Sequence, residues 1–98
     1  MLRSDVIKRG CDLFEVSLKD IMADCRPRPI CRARFGLYYA LNKRGGSSAA
    51  IGRWLQRDHS TVLHGLTRAE WYMENDPDFR QIVESLIVFG RIKETIDE

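Results

Sequence analysis

The sequence predicts an all-α fold, a compact helical bundle, on three observations. Apolar residues recur three and four positions apart in several separate segments, the period of a helix with one face against a core. No segment alternates apolar with polar residues as a half-buried strand does. Strong breakers stand between the periodic segments: Pro27 and Pro29, Gly45-Gly46, and Asn75-Asp76-Pro77. With 98 residues, 44% hydrophobic and 31% charged, the chain fits one domain whose core can support folding without disulfides.

Ser4 is expected to cap a first helix reaching about Glu15, with Val6, Ile7, Cys11 and Phe14 on its core face. Ser17 with Asp20 reads as a capping pair that opens a short helix, Leu18 to Ala23. The prolines of Asp24-Cys-Arg-Pro-Arg-Pro29 then favour an extended loop, and such a loop carries Arg26 and Arg28 outward. A third helix, Ile30 to Lys43, has Ile30, Leu37, Tyr38 and Leu41 as its core stripe, with Arg32 and Arg34 on other faces. Gly45-Gly46 ends it, and Ser47 or Ser48 caps a fourth, Ala49 to Leu55. Gln56-Arg57-Asp58 forms a turn into a fifth helix that runs to about Glu74, its core positions Val62, Leu63, Leu66, Ala69 and Met73. Asp76 at the N-cap and Pro77 at the first helical position start a sixth, which carries Phe79, Ile82, Val83, Leu86, Phe89 and Ile96.

Charge is distributed unevenly. Between Cys25 and Arg57 lie Arg26, Arg28, Arg32, Arg34, Lys43, Arg44, Arg53 and Arg57, and no acid. From Asp76 onward the balance is acidic. A basic block within a chain of net charge +2 is the footprint of a polyanionic partner. No apolar run approaches the ~20 residues that span a bilayer, and the N-terminus has no signal-type apolar stretch, so the expected location is the cytoplasm. Cys11, Cys25 and Cys31 are odd in number and lack metal-site spacing. His59 and His64 are five apart, about 140° around a helix, which argues against a shared metal. No metal and no cofactor is expected.

Helices four and five, joined by a tight turn, have the layout of a helix-turn-helix, in which the first residues of the second helix meet base edges. Here they are Asp58, His59, Ser60, Thr61 and His64, short polar groups at the electropositive end of a helix. Asp58, His59 and Ser60 do not form a hydrolytic set, because adjacent residues on one helical turn point apart; no enzymatic activity is expected. Trp54, Trp71, Tyr38 and Tyr39 fall within helical patterns and read as core rather than as a platform for single-stranded bases.

The run Arg57-Asp58-His59-Ser60-Thr61-Val62-Leu63-His64-Gly65 resembles the Gly-Arg-Asp-His-Thr-Thr-Val-Leu-His-Ala signature of the C-terminal DNA-binding domain, domain IV, of the bacterial replication initiator DnaA. Ile51-Gly52-Arg53 and Arg26-Pro-Arg-Pro-Ile-Cys-Arg-Ala-Arg34 resemble family segments upstream, and the order agrees from about Asp5 to Met73. The resemblance implies a Trp-repressor-like helix-turn-helix that binds double-stranded DNA at DnaA-box-like, A·T-rich sites. It implies Arg26 in the minor groove, Arg34 at the major-groove side, and Asp58, His59, Ser60, Thr61 and His64 on bases and backbone. Arg28, Arg57 and Lys43 complete the expected DNA-binding set. Ser60 replaces a threonine, Phe35 a glutamine, Asn42 a basic residue and Gly65 an alanine. There is no phosphate-binding loop of the GxxxxGK[ST] type, so no nucleotide is expected. The expected layout is a DNA-binding domain over residues 1–75 and an additional helix over 76–98 packed on it, longer than the family's usual end. Starting at Met1 and carrying this tail, the chain is expected to be a stand-alone, monomeric regulator. The alternatives are a DNA-binding fragment of an initiator, or a protein-interaction module acting through the last helix.

Overall fold

In the computed structural model, which describes residues 3–24 and 27–90, the described residues form six α-helices and no strand. These are α1 (Arg3–Phe14), α2 (Leu18–Met22), α3 (Arg28–Lys43), α4 (Ser48–Leu55), α5 (His59–Asn75) and α6 (Pro77–Ile87). The fold is all-α, as expected. Among the described residues, no helix is long and apolar enough to cross a membrane.

Capping explains most of the boundaries. Ser17, Ser47 and Asp76 each accept a hydrogen bond from the backbone N–H three residues on, at 3.0, 3.1 and 3.0 Å, the geometry that satisfies an orphan donor at a helix start. Three boundaries differ from expectation by two residues or more, and one is the end of α6, which stops at Ile87 and leaves Phe89 beyond the helix. Ser4 lies within α1, which already includes Arg3. Helix α3 starts at Arg28, so Pro29 sits in its first turn; proline there removes an N–H that has no helical partner in any case. Arg28 is therefore presented by a helix, not by the loop. Ile96 and the rest of the acidic tail lie outside the described residues.

Helix α3 is the central element and packs against each of the other five. Its Ala33, Leu37, Tyr38, Ala40 and Leu41 are buried, together with Val6, Ile7 and Cys11 of α1, Ile21 of α2, Ile51 and Leu55 of α4, and Val62 and Ala69 of α5. Helix α6 closes this core. Its Phe79, Val83 and Leu86 are fully buried, and it rests on α1, α3 and α5. Phe79 stacks on Tyr72 with centroids 5.0 Å apart and tilts against Phe14 at 5.8 Å, contacts that add to the apolar area they bury.

Two arginines of the basic block fasten α6. Arg32 donates from Nε to Asp76 Oδ2 at 2.9 Å, and its guanidinium lies 5.5 Å from the ring centroids of both Phe14 and Phe79. Arg44 donates from Nη1 to the carbonyls of Leu86, Ile87 and Phe89 at 3.2, 2.9 and 2.9 Å, a cation on the electronegative end of a helix. The hydrogen bond from Arg32, aided by the N–H of Phe79, holds the Asp76 carboxyl below the usual carboxylate range. Because the folded value is lowered, the stabilisation is complete above the ordinary carboxylate pKa of about 3.9 and is lost as pH falls through the lowered value. In an acid melt series, Asp76→Asn is expected to flatten the fall in Tm below about pH 4 relative to the unaltered chain.

Candidate nucleic-acid interface

The turn between α4 and α5 is built by close backbone approach. Arg57 N–H donates to Gly52 O at 2.7 Å, and a Cβ on Gly52 would stand 2.4 Å from the Arg57 carbonyl oxygen. Since that obstacle is backbone and cannot swing aside, the position requires glycine. Gln56 closes α4 in the left-handed region, at φ 57° and ψ 51°. Ile51 and Leu55 of α4 and Val62 of α5 are buried, which sets the two helices of the motif against each other.

Helix α5 starts without a side-chain cap. Asp58 is the N-cap residue but accepts no capping hydrogen bond, and the first helical bond is Val62 N–H to Asp58 O. In α-helical geometry the N–H groups of His59, Ser60 and Thr61 therefore have no partner within the helix. They emerge at the positive end of the dipole, among exposed His59, Ser60, Thr61 and His64 side chains. The uncapped turn and its polar side chains suit an anionic, hydrogen-bonding surface.

An open groove of about 1010 Å³ lies between α3 and α5. The expected site residues Arg28, Arg34, Arg57, Asp58, Thr61 and His64 line it. His59 and Ser60 are exposed on the same first turn of α5 but do not line the groove. Lys43 stands at the far end of α3, its Nζ 5.2 Å from the Tyr39 ring centroid; fifteen residues separate it from Arg28, about 22 Å along a helix. Arg26 lies outside the described residues.

The surroundings of Arg34 and Arg57 differ most from expectation. Arg34, expected on an outer face, is only 7% exposed. It donates from Nε to Ile21 O at 3.0 Å, and from Nη2 to Asp20 O at 2.8 Å and to Ala23 O. Arg57 is half-buried and donates from Nη2 to Ile21 O and Ala23 O, and from Nη1 to Gln56 O. Two guanidinium groups thus converge on the C-terminal carbonyls of α2, tying α2 and the start of the following loop to both α3 and the motif's turn. Burial raises the pKa of the neighbouring Tyr38 phenol, against the opposing pull of Arg57 and Arg34. With Arg32 and Arg44 engaged on α6, four members of the basic block are internal fasteners.

Three other residues were missed or misplaced in the sequence. Leu63, expected in the core, is 46% exposed, and Trp71 is 59% exposed. Leu63 sits one position off the buried stripe formed by Val62, Ala69 and the half-buried Leu66 and Met73, and Trp71, two positions from both Ala69 and Met73, lies on the opposite side of the helix. Arg68 and Trp71 line the groove, continuing the face of Thr61 and His64 at spacings of three and four. That spacing was visible in the sequence, but the aromatic was assigned to the core.

Gly65 lets α5 approach α3. A Cβ there would meet Tyr38 ring carbons at 2.4 and 2.5 Å, and Tyr38 is fully buried. Gly65→Ala should gain about 0.5–1 kcal/mol of helix preference but lose about 1–3 kcal/mol to overpacking. A net loss is expected, and Tyr38→Leu in the same chain should remove the overpacking part in a double-mutant cycle by denaturant titration.

A bundle that sets a short and a longer helix at a tight turn, with the second helix open at its start, is a helix-turn-helix domain of the DNA-binding class. Residues 4–68 match the family model described as "Bacterial dnaA protein helix-turn-helix", and the chain belongs to that family. It is 32% identical over 88 residues to the chromosomal replication initiator protein DnaA of Bacteroides thetaiotaomicron, covering 85% of this chain and 19% of the relative. Against the protein of the same name from Lachnoclostridium phytofermentans, identity is 36% over 84 residues, covering 84% and 18%. Against that of Mycoplasma genitalium it is 27% over 84 residues, covering 85% and 19%. The chain spans less than a fifth of the length of these curated relatives.

Proposed function

We propose that the chain reads double-stranded DNA at DnaA-box-like, A·T-rich sites, as a cytoplasmic regulator of replication or transcription. The observation that carries this proposal is the uncapped first turn of α5. It presents N–H groups that have no partner within the helix and four exposed polar side chains beside a groove that also holds exposed Arg28. In this role His59, Ser60, Thr61 and Asp58 face base edges, and His64 and Arg28 face the backbone. Arg26, in the basic loop, enters the minor groove, where arginine favours a narrow A·T-rich channel. Lys43 is an outlying phosphate contact. Arg34 and Arg57 act at one remove, by holding α2 and the start of the loop that bears Arg26. None of these assignments calls for a nucleotide. The relatives are named chromosomal replication initiator proteins, which supports the replication reading. A monomer is supported by α6, whose Phe79, Val83 and Leu86 are buried within the same chain.

The test is fluorescence anisotropy with a labelled duplex containing TTATCCACA and with a scrambled duplex, across a salt series. The box duplex should bind more tightly, and affinity for both should fall steeply with salt as counterions are released. His59→Ala should cost about 1–3 kcal/mol on the box, roughly 5- to 150-fold, and little on the scrambled duplex. Lys43→Ala should weaken both alike. Equal affinity of the unaltered chain for the two duplexes would overturn the proposal.

A further inference from the structure

Besides Arg28, Arg34 and Arg57, one further arginine lines the groove: Arg68. It is exposed and makes no hydrogen bond or ion pair among the described residues, whereas Arg34 and Arg57 are engaged on the carbonyls of α2. Trp71 stands three residues on, 59% exposed, with its ring edge-on to Tyr72 at a centroid distance of 5.2 Å. Tyr72 in turn lies 6.0 Å from Phe35 of α3, and all three aromatics line the groove. The groove therefore offers exposed cations that have no hydrogen bond or ion pair among the described residues, Arg28 from α3 and Arg68 from α5, along an aromatic wall. Thr61, His64, Arg68 and Trp71 share one face of α5, about 15 Å long at 1.5 Å per residue. That is the axial rise of about four to five base pairs at 3.4 Å each.

We propose that Arg68 and Trp71 hold one sugar–phosphate strand of the duplex in this groove, with Arg68 on a phosphate and the Trp71 indole against a deoxyribose. The assignment rests on the proposed duplex-binding role and extends it beyond the first turn of α5. Charge selects the occupant: four arginines outnumber Asp24 and Asp58 around the groove, and an aromatic wall with exposed arginines at its sides fits a polyanion with apolar sugars. Because phosphates and sugars repeat in every sequence, these contacts add affinity and register but no base preference. The groove also explains why an indole remains exposed on a helix whose buried face is already filled by Val62 and Ala69.

The experiment is the same anisotropy titration with Arg68→Gln, Arg68→Lys and Trp71→Ala, each first checked for an unchanged melting curve. Both side chains are exposed, so folding should survive. Arg68→Gln should weaken box and scrambled duplexes by the same factor and reduce the steepness of log affinity against log salt by about one. Arg68→Lys should restore that slope. Trp71→Ala should weaken both duplexes equally with the slope unchanged. In a Trp54→Phe chain, duplex should protect the remaining Trp71 emission from iodide quenching. If the unaltered chain prefers the box yet Arg68→Gln and Trp71→Ala bind as it does, the groove assignment is wrong. A loss confined to the box duplex would make these residues base readers and also overturn it. Failure of the unaltered chain to prefer the box would instead count against the underlying role.

Discussion

A chain ending at Asn75 will not fold. Helix α6 supplies Phe79, Val83 and Leu86, all fully buried, packs on α3 and covers one side of Tyr72. Truncating one buried phenylalanine to alanine costs about 3–5 kcal/mol, and a leucine about 2–5 kcal/mol. Losing all three, with the Arg32–Asp76 pair and the Arg44 contacts to the α6 carbonyls, reaches the whole stability of a domain this size, about 5–15 kcal/mol. Circular dichroism should show a chain without a cooperative thermal transition. A truncated chain that melts cooperatively and binds duplex as the full one does would show that α6 is an appendage.

Arg34→Ala should cost about 2–4 kcal/mol and weaken duplex binding although Arg34 is almost wholly buried. Its guanidinium serves the carbonyls of Asp20, Ile21 and Ala23, and leaving even one or two such acceptors unsatisfied costs about 1–3 kcal/mol each. Arg57 shares two of these carbonyls and offsets part of the loss. Loosening α2 also loosens Ala23 and Asp24, which lead into the stretch of sequence that carries Arg26. Arg34→Ala should therefore lose box preference as well as stability, and the preference should partly return at low temperature, where the fold is retained. Arg34→Lys should not rescue it, since an ammonium lacks the planar fork that reaches several carbonyls at once. A variant that melts like the unaltered chain but binds duplex poorly would make Arg34 a direct contact.

The parts of the fold legible in the sequence were those that local chemistry decides. Ser17, Ser47 and Asp76 cap helices, and Gly45-Gly46 and Pro77 break the chain, through interactions within a few residues. The turn Gln56-Arg57-Asp58 lies where the helical period resets. What stayed hidden depends on partners distant in sequence. The block of like charge from Arg26 to Arg57 pointed to a polyanion, yet Arg32, Arg34, Arg44 and Arg57 serve helix ends and an aspartate that only the tertiary fold brings near. Leu63 sits one position off the buried stripe of α5, and helical periodicity locates the centre of such a stripe better than its edges; Trp71 lies on the side opposite it. Gly65 read as a departure from the family signature, and its cause, the Tyr38 ring, is a contact between α3 and α5.

The central claim is that the duplex lies on the first turn of α5 and in the groove beside it. Amide chemical-shift mapping of the 15N-labelled chain, titrated with the box duplex, tests it most directly. The account predicts the largest shifts at His59, Ser60 and Thr61, with further shifts at His64, Arg68 and Trp71, while the amides of α1 and of Val83 to Ile87 in α6 stay nearly still. Shifts concentrated on α6, with the first turn of α5 unmoved, would contradict it.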